Sequence, residues 1–198
     1  MAEQGRVRWT RFAWIFVPVA AMTSMLVTAT AQGVIGATFV VSGAAFKLYT
    51  GELRGQGFSL AGRVDRTADD RPVPVIVTGV RRAVVTDLCQ SALVRTPLGP
   101  VTVQLTGGRD GNRVTIDNLV IDVPSGQSAT SLRGVQIGRD AATLDEVPGA
   151  AGPPGTFGSQ ARSVTLRNVR LNARAVTAAT FTLPDLAMSV TRGARECF

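Results

Sequence analysis

Residues 116–121 read Ile-Asp-Asn-Leu-Val-Ile, and this stretch decides the fold that we expect for the chain. Its first, fourth and sixth residues are apolar, and its third is asparagine. Asn, Asp and Gly accommodate bends and bulges, so a residue of this kind lets the next apolar side chain stay on the same side of a strand. The stretch therefore predicts a bent strand with one buried face.

The same frame recurs along the chain: apolar, any, Gly/Asn/Asp, apolar, any, apolar. Residues 85–88 begin the frame, and it is complete at residues 41–46, 132–137, 166–171 and 183–188. Ile116 and Leu132 begin frames 16 residues apart, and Leu166 and Leu183 begin frames 17 apart. Short strands at near-constant spacing favour a β-solenoid-like or elongated sheet. The alternative is an antiparallel β-sandwich with bulges.

Residues 38–198 as a whole have the pattern of a single all-β domain. Branched and polar residues alternate, and no helical period of 3.6 is sustained. Residues 101–105 and 114–116 flank an Asp110-Gly111 pair, which predicts a hairpin. Residues 145–162 are rich in Pro and Gly and predict a long surface loop that connects segments of the sheet.

The N-terminus carries an export pattern. Arg6, Arg8 and Arg11 precede a stretch that has no charge until Lys47. Basic residues followed by an apolar segment are typical of an export signal or a membrane anchor. Residues 12–31 are also long enough to span a bilayer as a helix.

Ala29 and Ala31 fit the small-residue pattern of a signal-peptidase site. We therefore expect residues 1–31 to be a cleaved signal peptide. A retained anchor helix, with membrane contact through residues 12–31, is the alternative. Both interpretations place the β domain of residues 38–198 outside the cytoplasm, either secreted or anchored to the cytoplasmic membrane and facing outward.

Cys89 and Cys197 are the two cysteines of the chain. An even pair in an exported protein favours a disulfide. A disulfide between them would close the long loop from residue 89 to residue 197 and stabilise the fold by about 4–5 kcal/mol. Two separate buried thiols are the alternative. Because the chain has no histidine, the two cysteines give no zinc-ligand spacing, and no metal is expected.

The charge pattern argues against nucleic acid as a partner. Without residues 1–31 the chain carries 18 basic and 13 acidic residues, and Lys47 is its single lysine. The arginines are scattered among acids with few aromatic residues, whereas nucleic-acid surfaces cluster charge and interleave aromatic side chains. We interpret the arginine excess as the composition of a GC-rich genome.

The sequence lacks the groups of the common catalytic mechanisms. There is no histidine and no Gly-x-Ser-x-Gly elbow, which excludes triads that depend on imidazole. No glycine-rich phosphate loop precedes a helix. We therefore predict no catalytic, cofactor-binding or metal-binding residues, and no cofactor.

Five stretches carry a resemblance to other proteins: residues 39–48 (FVVSGAAFKL), 87–90, 137–149, 152–158 and 179–190. Over nearly its whole length the chain resembles a family of small exported actinobacterial proteins of unknown function, whose members are often labelled cholesterol esterase. The resemblance implies an exported protein but transfers no catalytic residues to this chain. The esterase label conflicts with the missing histidine.

These observations favour a non-catalytic exported protein with a structural or partner-binding role at the cell envelope or in the medium. The expected partners are an envelope protein or further copies of the chain. The alternative is a lipid-binding protein, because the domain is rich in Val, Leu, Ala and Thr and poor in aromatic residues. A true lipid esterase ranks last.

Overall fold

A computed structural model describes residues 44–198, which form one antiparallel sheet of ten strands and a short 3₁₀ turn. The elements are β1 Phe46–Arg66, β2 Pro72–Thr86, β3 Leu88–Thr96, β4 Gly99–Gly107, β5 Val114–Val123, β6 Ser125–Asp140, the 3₁₀ turn Ala141–Thr143, β7 Phe157–Ala173, β8 Ala175–Thr177, β9 Thr180–Thr182 and β10 Ala187–Arg192. The predicted all-β, elongated sheet is confirmed. Among the described residues, no helix is long and apolar enough to cross a bilayer.

Several strands lie end to end along the same edge of a neighbouring strand. The sheet therefore consists of a few very long rows of strands. β2 and β3 follow each other along one edge of β1, and β7 lies along its other edge. β5 and β4 pair in the same way with β2 and β3. β8, β9 and β10 line the next edge, and β6 pairs with β7.

The sheet coils around an apolar core because the pair of strands β1 and β2 is bordered on both sides by one and the same two-stranded ribbon. The chain from β4 to β6 pairs with the chain from β7 to β10 as a continuous antiparallel ribbon. In this ribbon β5 also pairs with β2, and β7 also pairs with β1. Since β1 and β2 pair with each other, the sheet must curve strongly to satisfy all these pairings. Its inner surface, the core face, includes Leu53, Phe58, Val80, Val85 and Val164.

The central residues of the frames bend the strands through left-handed backbone conformations. The values of φ lie between 50° and 64° at Asp87, Asn118, Gly134, Asn168 and Asp185. Gly adopts this region freely, and Asn and Asp adopt it at lower cost than other residues. Ile116, Leu119 and Ile121, on either side of Asn118, all belong to the buried core. The predicted bend that keeps apolar residues on one face is thus confirmed at this frame, although the register between β5 and β2 runs through it without a bulge.

The bends are aligned across neighbouring strands. The register leaves Gly57 of β1 opposite Arg81 of β2 and Arg162 of β7. Asn118 then lies next to Arg81, and Gly134 lies next to Arg162. Residues with positive φ therefore occur on every second strand of this row, at Asn118, Gly57 and Gly134. Together they bend five neighbouring strands at the same position along their length.

Substitutions at Asn118 test whether the left-handed conformation is needed. Asn118→Val is expected to lower the free energy of unfolding by about 2 kcal/mol, because a β-branched residue is strained at positive φ. Asn118→Gly is expected to change it by less than about 0.5 kcal/mol. Urea denaturation of both variants measures the difference. Equal losses for the two variants would show that the backbone conformation is not the cause.

Two frames do not bury their apolar residues as predicted. Val135 and Ile137 of β6 are exposed, and so are Leu186 and Met188. β6 and β10 are edge strands, and nothing in the described part of the chain covers the core face there. The frame identifies residues that share a face, but whether that face is covered depends on distant strands.

The hairpin predicted around Asp110-Gly111 is wrong. β4 and β5 flank residues 108–113 but pair with β3 and β2, not with each other. Asp110 and Gly111 do turn the chain, with φ of 54° and 85°. The turn nevertheless returns the chain to the same edge of the sheet, because β2 and β3 already offer one continuous edge to both flanking strands.

Candidate binding surfaces

One end of the face opposite the core, here called the outer face, is covered by residues 141–156. Thr78 lines the core cavity. Because neighbouring residues of a strand point to opposite faces, Val77 points outward. Val147 and Ala150 pack against it and are buried. Gly79 makes room for them, since a Cβ there would lie 2.5 Å from the Cβ of Ala150. This segment is therefore a packed cover, and the predicted loop of 145–162 is shorter, because β7 begins at Phe157.

The other end of the outer face is covered by the C-terminal residues 193–198. Cys89 and Cys197 form the predicted disulfide. The backbone N–H of Cys197 donates to Ser91 Oγ at 3.0 Å, and Thr102 Oγ1 donates to the carbonyl of Gly193 at 2.7 Å. Ser91 and Thr102 are both buried by this tail. The disulfide thus holds a cover over β3 and β4.

Lys47 fastens the same tail to β1. Its Nζ lies 3.1 Å from Glu196 Oε2, donates to the backbone O of Phe198 at 2.7 Å and stands 5.1 Å from the centre of the Phe198 ring. The single lysine of the chain therefore joins the start of β1 to the C-terminal tail of residues 193–198.

Between these two covers the outer face is open and forms a depression of about 510 Å³, here called the arginine groove. It is lined by β6, β7, β1 and β2. Its basic residues are Arg54, Arg82, Arg133 and Arg167, and its neutral polar residues are Gln56, Ser131, Ser163 and Thr165. These arginines are far apart in sequence and meet through strand register, which is why the sequence did not reveal the groove.

Two carboxylates partly balance the groove. Glu52 is hydrogen-bonded to Arg54 and lies 3.7 Å from Arg167. The hydrogen bond from Arg54 is the largest influence on the pKa of Glu52 and lowers it. Arg82 pairs with Asp117 at 3.4 Å. Arg133 forms no ion pair with any described residue.

A second open surface lies on the core face, beyond the part where the sheet encloses the core. In β10 the residues Met188 and Val190 are 75% and 70% exposed. Val190 stands opposite Val103 of β4, and Met188 stands opposite Leu105. Together with Val94 of β3, these residues form what we call the apolar face.

The apolar face ends at an edge strand. Within the described residues β10 pairs with β4 and with no other strand. Its outer edge therefore presents backbone N–H and C=O groups that another strand can bind. The six residues of β10 contain one charge, Arg192, and no proline.

The enclosed core contains a small apolar cavity of about 70 Å³. Leu48, Leu53, Ile116 and Phe181 are among the residues that line it. An apolar cavity of about 150 Å³ holds a molecule of benzene, so the cavity in this conformation is too small for an acyl chain.

A buried ion-pair cluster lies on the outer face beside the cover of residues 141–156. Arg63 Nε binds Asp65 Oδ1 at 2.8 Å, and Arg63 Nη2 binds Asp122 Oδ2 at 2.7 Å. The carboxylate side chains are 8% and 5% exposed. One oxygen on each carboxylate has no hydrogen-bond partner in the described part of the chain. Two buried negative charges therefore depend on one arginine.

Two acidic pairs adjacent in sequence, Asp69-Asp70 and Asp145-Glu146, make structural contacts, and Glu146 pairs with Arg81 of β2 at 2.8 Å. Asp69 and Asp70 bind arginines of their own turn, and Asp145 accepts a hydrogen bond from Gln160 at 2.8 Å. Within residues 44–198 no three His, Cys, Asp or Glu side chains are grouped so as to hold a metal ion. The predicted export residues Arg6, Arg8, Arg11, Ala29 and Ala31 lie outside the described residues, as do the boundaries at residues 31 and 38.

The coiled ten-stranded sheet, covered at both ends of its outer face and cross-linked by a disulfide, makes this an all-β protein with open polar and apolar surfaces. Residues 42–198 match the model of a family of unknown function (DUF6230), and the chain belongs to this family. No curated protein and no solved structure matches the chain.

Proposed function

We propose that the chain is an exported, non-catalytic protein of the cell envelope that acts by binding partners, and that a second copy of the chain is one of them. The observation that carries this proposal is the exposed apolar face bordered by the edge strand β10. Long edge strands with exposed apolar residues are usually protected by charge, proline or a covering segment. The basic and apolar order of the N-terminus supports export, and the absence of histidine supports a role without catalysis.

One antiparallel register of β10 suits the pairing of two copies. A two-fold axis at Ser189, perpendicular to the sheet, places Met188 of one copy opposite Val190 of the other, on the same face. Their apolar faces then become continuous. Each Arg192 lies opposite Leu186 of the second copy, so no like charges meet.

Val190→Lys tests this interface. It is expected to raise the dissociation constant of the dimer by at least about tenfold, because two-fold symmetry places the new charge at two points of the interface. Val64→Lys is the matched control, since Val64 is 62% exposed but lies on β1, away from the apolar face. Native mass spectrometry of the protein produced from the full-length chain measures the assembly and its mass.

Further outcomes of the same experiment separate the alternatives. A cross-link between copies of Ser189→Cys, absent for Arg192→Cys, would support the register. A monomeric wild-type protein would exclude self-assembly. Additional mass that leaves with organic solvent would favour lipid binding, for which the apolar cavity would have to expand. The intact mass would also tell whether residues 1–31 are removed.

A further inference from the structure

The arginine groove has the dimensions of a ligand site. Small-molecule sites occupy about 300–1,000 Å³, and the groove has about 510 Å³. It continues past Arg54 and Val84 into a second depression of about 210 Å³, which reaches Arg113. The walls belong to paired strands, so the backbone positions of the lining residues are fixed by the hydrogen bonds of the sheet.

One row across the groove arranges its groups in a definite order. Arg133 of β6 stands opposite Ser163 of β7, Ser163 opposite Gln56 of β1, and Gln56 opposite Arg82 of β2. Three strand spacings separate the two arginine backbones, roughly 14 Å. The row therefore has an arginine at both ends, paired with Asp117 at Arg82 and without an ion pair among the described residues at Arg133, and neutral hydrogen-bonding groups between them.

The charge of the groove favours an anion with more than one charged group. Four arginines and two carboxylates, Glu52 and Asp117, leave a net charge of +2. Arg133 has no carboxylate partner in the described chain, and the planar guanidinium group can bind a phosphate with two hydrogen bonds. Phosphate groups spaced along a chain match the excess of positive charge and the presence of arginines on both sides of the row.

The residues that line the groove also limit the chemical groups that can lie between the phosphates of a ligand. No aromatic side chain lines the groove, whereas proteins bind unpaired bases by stacking them on aromatic rings. An acyclic polyol needs no stacking partner, and its hydroxyl groups can bond to Ser163 and Gln56. We infer that the arginine groove binds a linear polyol phosphate, a phosphodiester chain whose phosphates contact the arginines at its two sides.

Calorimetric titration with a short poly(glycerol phosphate) tests this site in protein produced from the full-length chain. Arg133→Gln is expected to weaken binding about tenfold, because it removes a charged hydrogen-bonding contact. Arg95→Gln is the matched control, because Arg95 is exposed, lies on β3 outside the groove and forms no ion pair with described residues. It removes the same charge and is expected to change the affinity less than twofold. Both variants should keep the unfolding midpoint of the wild type.

Three results would overturn the inference. Equal weakening by Arg133→Gln and Arg95→Gln would mean that net charge alone attracts the polymer. Tighter binding of a single-stranded oligonucleotide, lost with Arg133→Gln, would make nucleic acid the ligand. Binding to vesicles that contain phosphatidylglycerol, without binding to the soluble polymer, would assign the groove to lipid headgroups. The Val190→Lys variant should bind the polymer as the wild type does, which separates this site from the proposed self-assembly.

Discussion

Replacing Arg63 with Met is expected to lower the free energy of unfolding by about 3 kcal/mol at neutral pH. The substitution keeps an apolar stem of similar length but removes the charge shared by Asp65 and Asp122. Both carboxylates would then remain buried without a cation. Urea denaturation of the variant and the wild type at several pH values measures the loss.

The loss should depend on pH in a definite direction. Burial is the largest influence on the pKa of Asp122 and raises it, while the charge of Arg63 lowers it and that of Asp65 raises it. A folded-state pKa above the unfolded one favours folding at low pH, and this contribution is lost as the pH rises through the folded pKa. Without Arg63 the pKa of Asp122 rises further. The variant should therefore approach the wild type in stability as the pH falls toward about 4.

Arg66→Met provides the control for this experiment. Arg66 pairs with Asp70 at 2.8 Å, but both side chains are mostly exposed. An exposed ion pair contributes about 0–1 kcal/mol, so this variant should stay close to the wild type at every pH. A loss for Arg63→Met that is as small as the control, or that grows on acidification, would contradict our account of the cluster.

Removing the disulfide should have an effect of similar size. The double variant Cys89→Ser, Cys197→Ser is expected to lower the free energy of unfolding by about 4 kcal/mol, because the bond closes a loop with a sequence separation of 108. Wild-type protein under reducing conditions should match the double variant, and denaturation with and without reductant measures both.

Hydrogen exchange distinguishes a local effect from a global one. If the bond holds the tail over β3 and β4, the N–H groups of Arg195 and Cys197, which donate to Thr102 and Ser91, should lose protection first. A stability change below about 1 kcal/mol, with these two groups still protected, would mean that Lys47 and the tail contacts hold the C-terminus without the bond.

The local part of the fold could be predicted from the sequence. Asn118 and Asn168 stand where the frame requires a bend, and both adopt positive φ, because the residue type itself determines which backbone conformations are accessible. The cysteine pairing was also predictable, since the chain has two cysteines. These predictions needed no knowledge of which strands are neighbours.

The candidate surfaces could not be predicted, because they depend on strand register. Arg82 and Arg133 reach the same groove through β1 and β7, which lie between them. The apolar residues of β10 share the pattern of buried frames, yet Met188 is exposed because no strand covers it in the described chain. A periodic pattern indicates which side chains share a face, but not what lies above that face.

The position of the disulfide also determines how the domain would respond to tension. Cys197 is the residue next to the C-terminus, and its bond connects it directly to Cys89. A pulling force applied at Phe46 and Phe198 would pass from β1 and β2 through this bond and bypass the segment between the cysteines. That segment contains most of β3 and all of β4 to β10, so a tether at both ends would draw out β1 and β2, while the remaining strands bear force only through their hydrogen bonds to these two.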